Sequence, residues 1–368
     1  MTRKEQQELE ASIRETISIV KSNNDASATS LFDDEEESIF DEVDKKHKLA
    51  FLSSFIPSKT DNFFQILNKI FVLVAYIAFI IAVIYIINYF AESMKAQQTQ
   101  KEIRHMYVVE SLHKDMSVPV KNDLTVTETH KKLVLTDTAK AFLEINPDTV
   151  GYIRIPDTKI DNMVVKGTDN DYYLNHNVYG EKRQAGSIFV DYRCTIGTYY
   201  DSPNIIIYGH NQKDNTMFGH MDLYKSDIEY WKENPIIYFN TNYENNAYLI
   251  IATFVTNEKP EHDNGYVFDY WNYINFNDDY KFSTWKQEVL DRTLFTTGYD
   301  FDESDEYITL STCSSEWEPA RHVIIARKLR SNEDVENIDT EKWEANPNPR
   351  WPQVYYNIYE NGHTWSKE

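Results

Sequence analysis

Between Ile70 and Ala91 the chain reads IFVLVAYIAFIIAVIYIINYFA without one charged residue, and no other segment constrains its architecture as tightly. At about 1.5 Å per residue, a helix of this length crosses the roughly 30 Å hydrocarbon core of a bilayer. A buried helix of a soluble protein normally keeps some polar positions, and a cleaved signal peptide has a shorter apolar core near the N-terminus followed by small residues. This run starts late and ends in Tyr89, Phe90, Ala91 and Glu92. It predicts a retained transmembrane helix over 70–91, with a separate region on each side. Basic residues do not orient it, because Lys59 and Lys69 precede the span while Lys95, Lys101 and Arg104 follow it.

In the preceding region, 1–69, Leu9, Ile13, Ile17 and Val20 fall at helical spacing, so Glu5 to Lys21 reads as an amphipathic helix. From Ser22 to Lys48 the composition turns to Ser, Asn, Asp and Glu, including the run Asp33 to Glu37, which suits an acidic linker. The formal net charge of −22 argues against nucleic acid as a partner, since phosphate binding requires a basic face.

Beyond the span, 92–134 reads as a stalk, helical from Lys95 to His113, and Thr136 to Ile145 carries a second helical pattern. After Asn146 short apolar stretches alternate with turn residues: GYIRIP, NMVVKG, GSIFVDY, NIIIYG, AYLIIATFV, YITLSTC and HVIIAR. Such spacing favours a closed or nearly closed β-barrel over 135–330. One helical stretch, DDYKFSTWKQEVLDRT, interrupts the series with Tyr280, Phe282, Trp285 and Val289 on one face. The last region, 331–368, is aromatic, and Pro347, Pro349 and Pro352 forbid a continuous helix there.

The chain has two cysteines, Cys194 and Cys313, too far apart for a C-x₂-C metal pair, and no cofactor is expected. A disulfide between them and two free thiols are both compatible with the sequence. Cys313 ends an apolar stretch and is followed by Ser314, Ser315 and Glu316, a setting that suits a partly exposed nucleophile. His210 ends another stretch after Gly209. Arg321 opens the next one, so a hairpin would set its guanidinium beside the sulfur, as a donor to an oxyanion.

IIIYGHN, TLSTC and ARHVIIARKL resemble the His, TLxTC and Arg strands of sortases, in that family's chain order. With GYIRIP, TDNDYYLN, GSIFVDYR and NTMFGHM they resemble class B sortases over roughly 146–330. The resemblance implies an eight-stranded sortase barrel with N-terminal helices and an inserted helix before the Cys strand. It further implies a membrane-anchored cysteine transpeptidase with Cys313 as nucleophile, His210 as acid and base, and Arg321 at the oxyanion. Asn170, Leu174, Tyr208 and Ser311 then line the groove for the sorting signal, joined by Tyr266. The implied partners are surface proteins bearing that signal and a peptidoglycan peptide amine or its lipid-linked precursor. An external substrate would place the N-terminus in the cytoplasm. His220 and His322 read as structural or surface groups, and Cys194 as a bystander.

Two other readings compete. A cysteine protease would hydrolyse the same acyl-enzyme, although papain-like enzymes place Cys before His and chymotrypsin-like ones flank the nucleophile with glycines that TLSTCSS lacks. A barrel kept as a non-catalytic surface module is the second alternative.

Overall fold

The computed structural model describes residues 56–111, 134–197 and 200–367. The amphipathic helix expected over Glu5 to Lys21, the acidic linker and the distal stalk lie outside the described residues. The chain divides into two compact units that meet between Asn88 and Tyr89.

The apolar run is helical, and helix α1 (Phe63–Ser111) continues through the expected end of the span without a break. It is long and apolar enough to cross a membrane, and none of its apolar window is buried, which makes it a candidate membrane anchor. Within the second unit, Ile103 and Tyr107 sit one turn apart on α1 and are both buried. Tyr107 stacks on Tyr152 at a centroid distance of 3.9 Å, and Arg104 pairs with Asp161 at 2.9 Å. Helix α2 (Asp137–Ile145) starts where Thr136 accepts from the Ala139 amide, and it lays Phe142 into the same cluster. Burying one such large side chain contributes about 1.5–3 kcal/mol.

Eight strands close the barrel: β1 (Thr149–Arg154), β2 (Asp161–Val165), β3 (Ile188–Val190), β4 (Asn204–Tyr208), β5 (Ile236–Thr241), β6 (Ala247–Asn257), β8 (Tyr307–Ser314) and β9 (Ala320–Lys328). Their spatial order is β1-β2-β3-β4-β8-β9-β6-β5, with β5 pairing back onto β1. Closure leaves this sheet no free edge, and β6 is buried along its whole length. Strand β5 is the element the sequence pattern did not single out.

Between β6 and β8 lies the inserted helix, α3 (Phe282–Arg292), which buries Phe282, Trp285, Val289 and Arg292. Tyr280 precedes α3 and packs edge-on against Tyr273. A two-stranded sheet joins β7 (Phe295–Thr296) to β10 (Glu344–Ala345), and helix α4 (Gln353–Tyr359) starts after Pro352. The aromatic C-terminal region is thus folded onto the barrel, with prolines only outside its helix.

Candidate active site

In the antiparallel hairpin of β8 and β9, Cys313 stands directly opposite Arg321. Directly opposed residues project to the same face, and here the Arg321 Nη1 donates to the Cys313 Sγ at 3.1 Å. On its other side β8 runs parallel to β4, with the register Asn204 beside Tyr307 kept as far as Tyr208 beside Ser311. The ladder ends there, and His210 and Cys313 each lie two residues further along their segments.

Three hydrogen bonds hold this continuation in place. The Gly209 amide donates to the Ser311 carbonyl at 3.2 Å, the Thr312 hydroxyl to the Gly209 carbonyl at 2.7 Å, and the Asn211 amide group to the Cys313 carbonyl at 3.1 Å. These bonds bring the segment 209–211 alongside 311–313, whose Cys313 pairs with Arg321 on its other side.

The imidazole is oriented by a backbone group. His210 Nε2 lies 2.7 Å from the Leu174 carbonyl. A carbonyl only accepts, so Nε2 carries a proton and Nδ1 is the atom left to take up or release one. Leu174 closes a helical turn whose start is tied by the Asp171 and Tyr172 amides to the Asp169 carboxylate. Gly186 lets the chain pass this turn: at φ 59°, a Cβ there would come within 2.6 Å of the Leu174 oxygen.

Arg321 is fixed from the far side. Its Nε donates to Glu258 Oε1 at 2.7 Å, and Glu258 directly follows β6, whose Thr256 faces Arg321 in register. Burial disfavours the guanidinium charge, but Glu258, Tyr270 and Cys313 together outweigh it and raise the arginine above its ordinary value. Glu258 escaped sequence reasoning because no periodicity or motif marks it.

One rung further along the same face lie Tyr208, Ser311 and Val323. The Ser311 hydroxyl is 2.6 Å from the Tyr270 hydroxyl, whose phenol burial pushes up to about 12. Tyr208 and Asn170 converge on one buried carboxylate, each donating to Asp191 Oδ2 at 3.0 Å. Burial would raise that carboxyl, yet the Arg193 guanidinium, donating at 2.9 and 2.8 Å, holds it below the usual range. Asp191 is a second organising residue that the sequence did not reveal.

Tyr266 is placed differently. Its ring lies under the Arg350 guanidinium at 5.0 Å, and its carbonyl accepts from Asn257, the residue before Glu258, at 2.8 Å. The structure thus joins Tyr266 to this rung only through the backbone after β6.

His322 and His220 are turned elsewhere. His322 adjoins Arg321 in sequence and so points to the opposite face, where it is fully buried and 2.8 Å from the Thr253 hydroxyl. Burial holds its imidazole well below the ordinary value. The His220 Nδ1 accepts from the Lys159 amide at 2.7 Å. Both cysteines are free thiols; Cys194 is buried, which pushes it up to about 12, and Cys313 is exposed.

Residues 153–329 match the sortase domain family. Sortase B of Listeria monocytogenes is 35% identical over 190 residues, which cover 51% of this chain and 72% of that protein. The chain belongs to the sortase family, class B. Sortase B of Staphylococcus aureus is 28% identical over 189 residues, 50% of this chain and 72% of the relative. Among solved structures, the crystal structure of Bacillus anthracis sortase B in complex with AAEK1 superposes with a TM-score of 0.51 at 25% identity, over 66% of this chain and 99% of that one. A Staphylococcus aureus sortase B–substrate complex shares the fold at 21% identity, with a TM-score of 0.52 over 65% of this chain and 98% of that one. Sortases are cysteine transpeptidases, and the sortase-matched segment contains His210, Cys313 and Arg321.

Proposed function

We propose that this class B sortase cleaves a C-terminal sorting signal at the carbonyl of a threonine and passes the acyl group to an amine of the cell wall. The reading is carried by one observation: a free, exposed thiol lies 3.1 Å from a guanidinium, with its backbone carbonyl bonded by Asn211, the neighbour of a backbone-oriented imidazole.

The Cys313 thiolate attacks the threonine carbonyl carbon, forming the C–S bond and moving the carbonyl π pair onto oxygen. Arg321 donates to that oxyanion from a guanidinium already fixed by Glu258, so no reorganisation is required as charge develops. As the C–N bond breaks, the His210 imidazolium protonates the departing amine, leaving a thioester. The incoming amine then loses a proton to His210, attacks the thioester and expels the thiolate. One amide replaces another, and no cofactor is consumed.

Asn170, Leu174, Tyr208, Ser311 and Tyr266 are proposed to line the groove, with Asp191 setting the first and third of them. The Staphylococcus aureus relative was solved as a substrate complex, which supports a peptide groove on this fold. Family analogy gives an NPxTx-like or LPxTG-like signal and a peptidoglycan cross-bridge or lipid-linked precursor as acceptor. Such a substrate lies outside the cell, which puts the N-terminus in the cytoplasm and the barrel outside.

The test uses the full-length chain in detergent with a sorting peptide, with and without an amine acceptor. Cys313→Ala is expected to abolish cleavage while the circular dichroism spectrum stays unchanged, and mass spectrometry of the wild type should find the thioacyl adduct. Turnover that persists in the alanine variant removes the assignment.

A further inference from the structure

We propose that the segment after β9 is a strap whose last helix, α4, holds the turn between Cys313 and Arg321 and so acts as a positioning element for the reaction, an inference that rests on the catalytic reading above. The strap lies beyond the sortase-matched residues 153–329. It is nevertheless fastened at every stage of its path. Buried Arg327 grips Glu333 with two bonds of 2.8 and 2.7 Å, and buried Trp343 packs on Trp231 at 5.4 Å. The Arg350 amide donates to the Asp291 carbonyl at 2.7 Å, and the Gln353 amide donates to Asp263 Oδ1 at 3.0 Å.

From there α4 crosses to the hairpin. Trp351, Val354 and Tyr355 pack on a satellite cluster of Val255, Trp317 and Ala320, and Trp351 also packs against the barrel core. At the far end the Tyr359 hydroxyl donates to the Glu316 carbonyl at 3.1 Å. Glu316 and Trp317 belong to the turn that connects β8 to β9, beyond the last ladder pair, Ser314 with Ala320. The next pair inward is Cys313 with Arg321.

Hairpin ends open most readily, because their backbone groups lack partners on one side. Here that end stands one rung from the reacting atoms. Catalytic groups must be held to about 0.5 Å, and a misplacement of about 1 Å costs on the order of a hundredfold in rate. The sheet ladder orders the strands but not the turn, and the strap supplies the missing apolar cover to Trp317. Its contacts at this end are with the turn and the strands beside it and not with the sulfur, so loosening it should slow chemistry without removing a reacting group.

The experiment compares the wild-type full-length chain in detergent with Trp351→Ala/Tyr359→Phe, and with Trp351→Phe as the conservative control. The double variant is expected to lose about tenfold in kcat with KM changed less than about twofold, and to alkylate Cys313 with iodoacetamide along a different pH profile. Trp351→Phe is expected to restore kcat to within about twofold of wild type. A double variant with a lower melting temperature but wild-type kcat and alkylation profile overturns the proposal, because the strap is then only a source of stability. If the double variant does not fold, amide hydrogen exchange of Val354→Ala decides: faster exchange confined to 314–320 supports the strap, and unchanged exchange there overturns it. Cys313→Ala measured in parallel separates the two readings: activity surviving in it sinks the nucleophile assignment and the strap's role with it, whereas an inactive alanine variant beside an unaffected double variant overturns the strap alone.

Discussion

Replacing Arg321 with methionine separates what the guanidinium does for the reaction from what it does for the fold. Methionine keeps an unbranched stem for packing and removes both the charge and the donors. The arginine side chain is 30% exposed and its partner Glu258 32% exposed, so their ion pair is part-buried yet still reached by water, worth on the order of 1 kcal/mol. Glu258 also remains open to water after the substitution. The stability change should therefore stay at or below about 1 kcal/mol. For the reaction the scale differs. A donor aimed at a developing oxyanion is worth about 2.7–4 kcal/mol, so kcat should fall by on the order of 10² to 10³. The assay is peptide cleavage followed by mass spectrometry, with urea unfolding measured on the same preparation. A kcat within about tenfold of wild type refutes the oxyanion role, and a stability loss above about 2 kcal/mol would trace any slowing to the fold. Arg321→Lys should recover only part of the rate, because an ammonium cannot hold Glu258 and the sulfur from one planar fork.

Gly186→Ala tests the backbone hold on the imidazole. A Cβ at φ 59° would sit 2.6 Å from the Leu174 oxygen, so the turn must shift, and kcat is expected to fall by about tenfold or more; an unchanged kcat would show that the Leu174 carbonyl does not orient His210. His322 gives a pH dependence. Burial depresses its folded pKa below 6.5, so the unfolded chain takes up a proton that the folded chain refuses. Its contribution is complete above that value and is lost as pH falls below it, at up to about 1.4 kcal/mol per pH unit. Urea midpoints between about pH 7.5 and 5.5 should therefore decline more steeply for wild type than for His322→Gln, and equal slopes would contradict the burial argument.

The candidate anchor, the helices that follow it and most barrel strands are legible in the sequence because each is written in contiguous residues. A run such as Ile70 to Ala91 has one solution to its backbone hydrogen bonds in lipid. Strand β5 shows the limit, since IIYFNT runs straight into NYENN and reads as much like a polar loop as a strand. Motif residues were legible by type: a thiol, an imidazole and an arginine at strand ends. Their function was not, because it depends on which strand lies beside which.

What the sequence by itself determined is therefore local: a helix of membrane length, alternating strands, and reactive side chains at strand ends. The tertiary structure decided the rest. Parallel pairing of β4 with β8 carries the segment after Tyr208 along the one that bears Cys313, β9 sets Arg321 opposite the cysteine, and the end of β6 delivers Glu258 to the guanidinium. Leu174 enters through its carbonyl, a group every residue possesses, and Asp191 through burial among partners remote in the chain. Hydrogen-bonding groups common to all residues acquire a role only from the neighbours that folding gives them, and pairing register is a property of two segments together.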